Sequence, residues 1–305
     1  MAFGDFGVIC ERSPLPLCSL IDSKVVDIDS TFTGIIPTCY ARSINLANTL
    51  IFQVGTAFVH ISALVILMMI VYIIRDRYTA VGRREMLFFF WSYMGLTIFS
   101  LVVDTGVSPP GSTTYAYFVA AQIGFMAACS WSLFYAGLTS FNLWDDGSIS
   151  SMSVLYVSSV IAFAVDFIVA LLTFKGWAST LGPHNTTPLF VFMYVLNGIL
   201  LVSWFLCQIF VCFFILIRNW WAIGALAFVC FFYVASQVLL YAVSQQICES
   251  VKHYVDGLMF SVISSLFCVM MIYKYYDIIT YDDDEYYRQT QIIQSIPEKN
   301  DYQLM

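Results

Sequence analysis

Charge is what this sequence has least of. Of its 305 residues only 11% are Asp, Glu, Lys or Arg and 60% are hydrophobic, against about 25% and 45–50% in an ordinary soluble domain. A water-soluble fold cannot hide that much apolar surface, so the bilayer is the expected solvent. Histidine is scarce too. His60, His184 and His253 stand at no metal-ligand spacing, which leaves a zinc hydrolase only the HYVDG run at 253–257 as support. With 13 basic residues against 20 acidic ones, a net −7, the chain is badly matched to nucleic acid. Residues 1–49 lack a basic start, an apolar core and a small-residue cleavage site, so the first span is expected to target the chain itself. No internal repeat suggests the paired halves of a transporter.

What is abundant is apolar length. A helix needs about 20 largely apolar residues to cross a bilayer, and seven stretches qualify. They run from about Leu50 to Ile74, Met86 to Val103, Tyr115 to Phe141, Met152 to Phe174, Leu189 to Ile217, Ala222 to Gln245 and Gly257 to Tyr276. The expected fold is therefore an all-α membrane protein, a seven-helix bundle at 50–276. A 49-residue N-terminal segment precedes it and an acidic tail, 277–305, follows. Aromatic residues, 17% of the chain, suit lipid-facing walls and interfacial belts.

Orientation follows from basic residues beside the spans. The first loop carries Arg75, Arg77, Arg83 and Arg84, whereas the second, DTGVSPPGSTT, carries none. The N-terminus is thus expected in the lumen and the tail in the cytosol. The same topology puts the sequon Asn185-Thr186-Thr187 in the lumen as a glycosylation candidate. Cys10, Cys18, Cys39 and Cys248 then fall on the oxidising side as disulfide candidates, and the other five cysteines lie within spans. Three pairings are possible. If all four are oxidised, at least one bridge ties the N-terminal segment to the loop between the sixth and seventh spans.

The third span has a small residue at every fourth position, Ala116, Ala120, Gly124, Ala128, Ser132, Ala136 and Ser140. Such a face lets another backbone approach closely. In the fourth span Asp166 interrupts a shorter row of the same kind, Ser158, Ala162 and Ala170, and an acid at that depth should face protein or water. Internal packing is the simplest use of these faces. Docking of a second membrane protein makes Ala120, Gly124, Ala128, Ser132 and Asp166 partner-contact candidates, and an ion site is a third use. Gln53, His60, Gln122, Asn197, Gln208 and Gln237 are spread over four spans and read as interhelical hydrogen bonds.

Seven spans with an outside N-terminus match the layout of G-protein-coupled receptors, but the DRY string at 76–78 ends the first span, not the third, and the seventh has no NPxxY. The acidic run Asp282-Asp283-Asp284-Glu285 contains a DxD string. A glycosyltransferase would need a folded cytosolic domain around it. A solvated stretch, or an export signal read by the ER-exit coat, fits a short tail better. No catalytic, cofactor or metal residue is assigned.

Particular strings carry a resemblance: PLPLC at 14–18, CYARSINLANT at 39–49, YTAVGR at 78–83, LVVDTGVSPPGS at 101–112, FNLWDDG at 141–147 and QICESVKHYVDG at 246–257. In these the chain resembles the fungal chitin synthase export chaperones of the endoplasmic reticulum. The resemblance implies a non-enzymatic chaperone that binds polytopic chitin synthase in the ER membrane, promotes its folding and exit, supports cell-wall chitin synthesis, and travels with its client towards the plasma membrane in one version. The alternative is a seven-helix receptor or small transporter, which would need Asp166, Gln122 and Asn197 to line one open polar cavity.

Overall fold

The structure is a computed structural model that describes residues 4–21, 34–46, 49–77, 80–141, 147–177, 181–215 and 220–281. Within them are seven helices long and apolar enough to cross a membrane: α1 (Val54–Asp76), α2 (Arg83–Asp104), α3 (Tyr115–Thr139), α4 (Ile149–Lys175), α5 (Thr187–Phe214), α6 (Trp220–Tyr241) and α7 (Gly257–Ile279). Helices are what such sequences must form, because hydrocarbon offers no partner to a free peptide group. The polar ends supply their own stops. Ser148 caps α4 by accepting the Ser151 amide at 3.1 Å, and Gly176 closes it in the left-handed region, its N–H donating to the Leu172 carbonyl.

α1 begins four residues later than hydropathy suggests. Leu50 lies in β2 (Thr49–Ile51), paired antiparallel with β1 (Ile44–Leu46). The reason is tertiary. The Phe52 amide donates to the Thr105 carbonyl at 3.1 Å, and the Phe52 ring fills the place where a Cβ on Gly106 would stand, 2.2 Å away. Gly106 has φ +76°, so its missing side chain serves both the turn and the contact.

α6 likewise stops at Tyr241 rather than Gln245. A separate short helix, Ser244–Ser250, turns across the start of α7. A Cβ on Gly257 would meet the Leu239 carbonyl oxygen and the Ser244 Cα at 2.5 Å.

α3 is the axis of the bundle. Of its most apolar window 61% is buried, against 22% for α4 and 17% for α5. α2, α4 and α5 all pack on it. α7 packs on α6 and α1, while α5 and α6 make only sparse contact with each other. α5 is also the least regular span, with widened turns at Val191–Leu196 and Val211–Ile215.

The N-terminal segment is not a loose appendage. Phe6, Leu17 and Ile21 are buried together with Val103, Tyr115, Val119, Phe174 and Leu189 of the bundle. The Phe6 ring meets Phe190 edge-on at 5.6 Å. The Thr186 hydroxyl donates to the Gly4 carbonyl and the Tyr115 hydroxyl to the Pro16 carbonyl, at 2.8 and 3.1 Å. Two disulfides fix this cap. Cys10–Cys18 closes a short loop within it, and Cys39–Cys248 joins it to the short helix after α6 across 209 positions of sequence.

Replacing Cys39 with Ser should lower the thermal stability of the detergent-solubilised protein by about 2–4 kcal/mol. Cys10→Ser should cost less, because its loop spans only 8 positions. Thermal melting with non-reducing peptide mapping checks both; an unchanged Cys39→Ser melting curve would contradict the cap's role.

Candidate functional site: the α3 axis and a polar cavity under the cap

The small-residue row of α3 turns inward. Ala120 and Ser132 are fully buried and Ala128 nearly so. Gly124 faces α4 so closely that a Cβ would lie 2.9 Å from the Phe163 ring and 3.0 Å from the Phe163 carbonyl oxygen. Asp166, also on α4, is 2% exposed and sits beside Asn197 of α5. These five residues, candidates for contact with a partner, are therefore enclosed by the chain's own helices. At Gly124 the ridge that admits a neighbouring backbone admits α4, the next span in the chain.

Several polar side chains join helices in pairs. Gln122 Nε2 donates to Ser100 Oγ between α3 and α2 at 2.9 Å, and Tyr275 Oη donates to Gln208 Oε1 between α7 and α5 at 2.7 Å. Trp131 Nε1 donates to Ser158 Oγ between α3 and α4 at 2.8 Å. Near the cap, His60 of α1 meets Asp104 at the end of α2, with Nε2 to Oδ2 at 2.9 Å and both residues buried. Among the described residues His60 Nδ1 has no hydrogen-bond partner, and none of them places beside it the hydroxyl or thiol of a hydrolytic triad. Composition gave no hint of this pairing. The only available signal was that both residues are ionisable and lie within apolar runs.

His60 also lines a cavity of about 350 Å³ beneath the cap. Leu15, Pro16 and Leu17 close its upper end, and Gln122, Asn197, Gln237, Tyr194, Tyr233 and Tyr241 are among the residues that contribute polar groups to a mostly apolar wall. Of the three residues a receptor or transporter would require, Gln122 and Asn197 are in this lining and Asp166 is not. The Tyr194 and Tyr241 hydroxyls meet at 2.7 Å, bridging α5 and α6 where those helices otherwise barely touch.

On the same face, Cys39, Cys248 and His253 lie within 4.8 Å of one another. The sulfurs are joined to each other, so neither is a thiolate able to hold a metal. His253 Nδ1 lies 3.3 Å from the Tyr40 carbonyl oxygen. Asp256 caps α7 by accepting the Met259 amide at 3.3 Å. Burial, with the nearby Asp104 adding to it, pushes the Asp256 carboxyl above its ordinary range against the lowering effect of the Met259 bond. Asn185 is exposed in the turn closed by its amide on the Gly182 carbonyl, at 2.9 Å. Asp282, Asp283, Asp284 and Glu285 lie outside the described residues.

Among the described residues, then, the arrangement is that of a capped, polytopic membrane protein whose polar groups tie helices together and line one small cavity. The chain belongs to the chitin synthase export chaperone family, a family of chaperones and not of enzymes, whose profile matches residues 2–289. Curated relatives named chitin synthase export chaperone include those of Saccharomyces cerevisiae, 47% identical over 300 residues, and Candida albicans, 49% identical over 287. These alignments cover 94% of this chain and 95% and 92% of the relatives. That of Debaryomyces hansenii is 50% identical over 287 residues, again 94% of this chain and 92% of the relative.

The raised Asp256 carboxyl has a directional consequence. The folded protein holds that proton more tightly than the unfolded chain, so its contribution is most favourable at low pH and falls as the pH rises above the ordinary carboxylate value of about 4. Asp256→Asn keeps a good cap and removes the buried charge. It should raise Tm at pH 7 by about 2–4 °C and give no gain below about pH 4. A loss of equal size at both pH values would contradict this account.

Proposed function

We propose that this protein is the export chaperone of a chitin synthase: a resident of the ER membrane that binds the polytopic synthase, promotes its folding and allows it to leave for the cell surface. The observation that carries the reading is the family match across residues 2–289, and the geometry is in keeping with it. Among the described residues no nucleophile meets the buried His60–Asp104 pair, and the bridged cysteines are unavailable for metal chemistry.

The proposed orientation has the N-terminal cap in the lumen and the tail in the cytosol. Four arginines at and between the facing ends of α1 and α2, Arg75, Arg77, Arg83 and Arg84, support it. So do two disulfides on the capped face, since such bonds persist in oxidising compartments. Asn185 shares that face and is the proposed glycosylation site. Client contact falls to the outward apolar side of α4 and α5, where Val157, Val160 and Ile161 of α4 and Ile199, Val202 and Leu206 of α5 are more than half exposed and which membrane lipid covers when no client is bound. The run Asp282-Asp283-Asp284-Glu285 is the proposed export signal for the ER-exit coat.

Loss of the gene should leave fluorescently tagged chitin synthase in the ER and lower wall chitin severalfold; a copy with Asp282, Asp283, Asp284 and Glu285 all changed to Ala should restore synthase folding but slow exit. Normal surface delivery in the deletion strain would defeat the main reading, and full rescue by the alanine copy would defeat the tail's role. Topology has its own check. Endoglycosidase should increase the protein's gel mobility, and Asn185→Gln should abolish that shift; absence of any shift in the native chain would remove the glycosylation proposal.

A further inference from the structure

The cavity under the cap has more chemistry than helix packing requires. Its wall is apolar over most of its area and contains no Asp, Glu, Lys or Arg. His60 is 4% exposed, lines the cavity and leaves Nδ1 without a partner. From these observations we infer that the cavity is a binding site for a neutral, hydroxyl-bearing lipid of sterol type, admitted from the bilayer between α5 and α6.

Size, polarity and access each narrow the occupant. About 350 Å³ lies near the small end of ligand pockets, roughly 300–1,000 Å³. One compact apolar body fits it, whereas a client helix about 10–12 Å across does not, nor do the paired chains of a phospholipid. A charged head group would meet no counter-charge in the lining and would be costly at that depth. A hydroxyl suits His60 in particular. Whichever form the imidazole takes against Asp104, Nδ1 is either an acceptor or a donor, and a hydroxyl can complement both.

Access from the capped side is closed by Leu15, Pro16 and Leu17, held by the Cys10–Cys18 bridge. The most lightly packed direction is sideways. α5 packs on α3 and α6 on α7, so the seam between α5 and α6 is lightly made, and the Tyr194–Tyr241 hydroxyl contact crosses it. Tyr194 belongs to the widened turn Val191–Leu196, of a kind often found at functional sites.

The test uses the full-length protein in phosphatidylcholine nanodiscs and a photoreactive cholesterol analogue. Labelling should saturate, map to peptides of α5 and α6, and be displaced by cholesterol but poorly by cholestane, which lacks the hydroxyl. Gly198→Leu should reduce it about tenfold, since Gly198 lines the cavity and a Cβ there meets nothing within 4 Å. Labelling that never saturates, or that spreads over the lipid face of α4, would overturn the site. So would undiminished labelling of a Gly198→Leu protein with an unchanged melting curve. Equal competition by cholestane, measured on the native chain and so independent of any variant, would overturn the hydroxyl's role.

Discussion

The close approach of α4 to α3 is the contact on which the rest of the bundle depends. In a bilayer no hydrophobic force drives helices together, because lipid tails are as apolar as leucine. Association has to come from dense packing and from a few polar bonds. The α3 row of Ala, Gly and Ser supplies the first, and at Gly124 there is no room even for a Cβ beside Phe163. Trp131 to Ser158 and Gln122 to Ser100 supply the second. With α2, α4 and α5 gathered on one axis, α6 and α7 form a separate pair that joins through α1. The light seam between α5 and α6 is the geometric remainder of that division.

The cap completes what the spans leave open. Phe6, Leu17 and Ile21 enter the same buried cluster as Val119 and Leu189, so the N-terminal segment is part of the core at that end. Polar groups are most concentrated just beneath it. His60–Asp104, the capping Asp256 and the tyrosines of α5 and α6 lie where the bundle meets its lid. Burying these polar side chains is tolerable because His60 and Asp104 hold each other and Asp256 caps α7.

Much of this was legible in the sequence. Composition and apolar length were enough for seven spans, and α3 and α7 start at the residues the pattern indicates, Tyr115 and Gly257. The start of α1 was not, because Leu50 is drawn into a hairpin by the Phe52–Gly106 contact, which hydropathy cannot register. The stop of α6 depends in the same way on the chain crossing over Gly257. The α3 ridge was visible, but its direction was not: periodicity finds a face without saying which helix covers it. Four cysteines left three pairings open, and choosing among them required the short helix Gly7–Arg12 and the turn after it, which bring the Cα atoms of Cys10 and Cys18 to 5.5 Å. The cavity is the least legible feature. It arises from six helices and the cap together, and none of its walls carries a motif.

The Cys39–Cys248 bridge also imposes an order in time. Cys10 and Cys18 are close enough in sequence to join as soon as the first residues emerge, but Cys39 must wait until six spans have been threaded and the turn after α6 has reached the same side of the membrane. Closing the cap is therefore a late event that only a chain with its sixth span in place can reach. The bridge serves as a covalent record that six of the seven spans have been laid down, carried by a helper of other membrane proteins in its own structure.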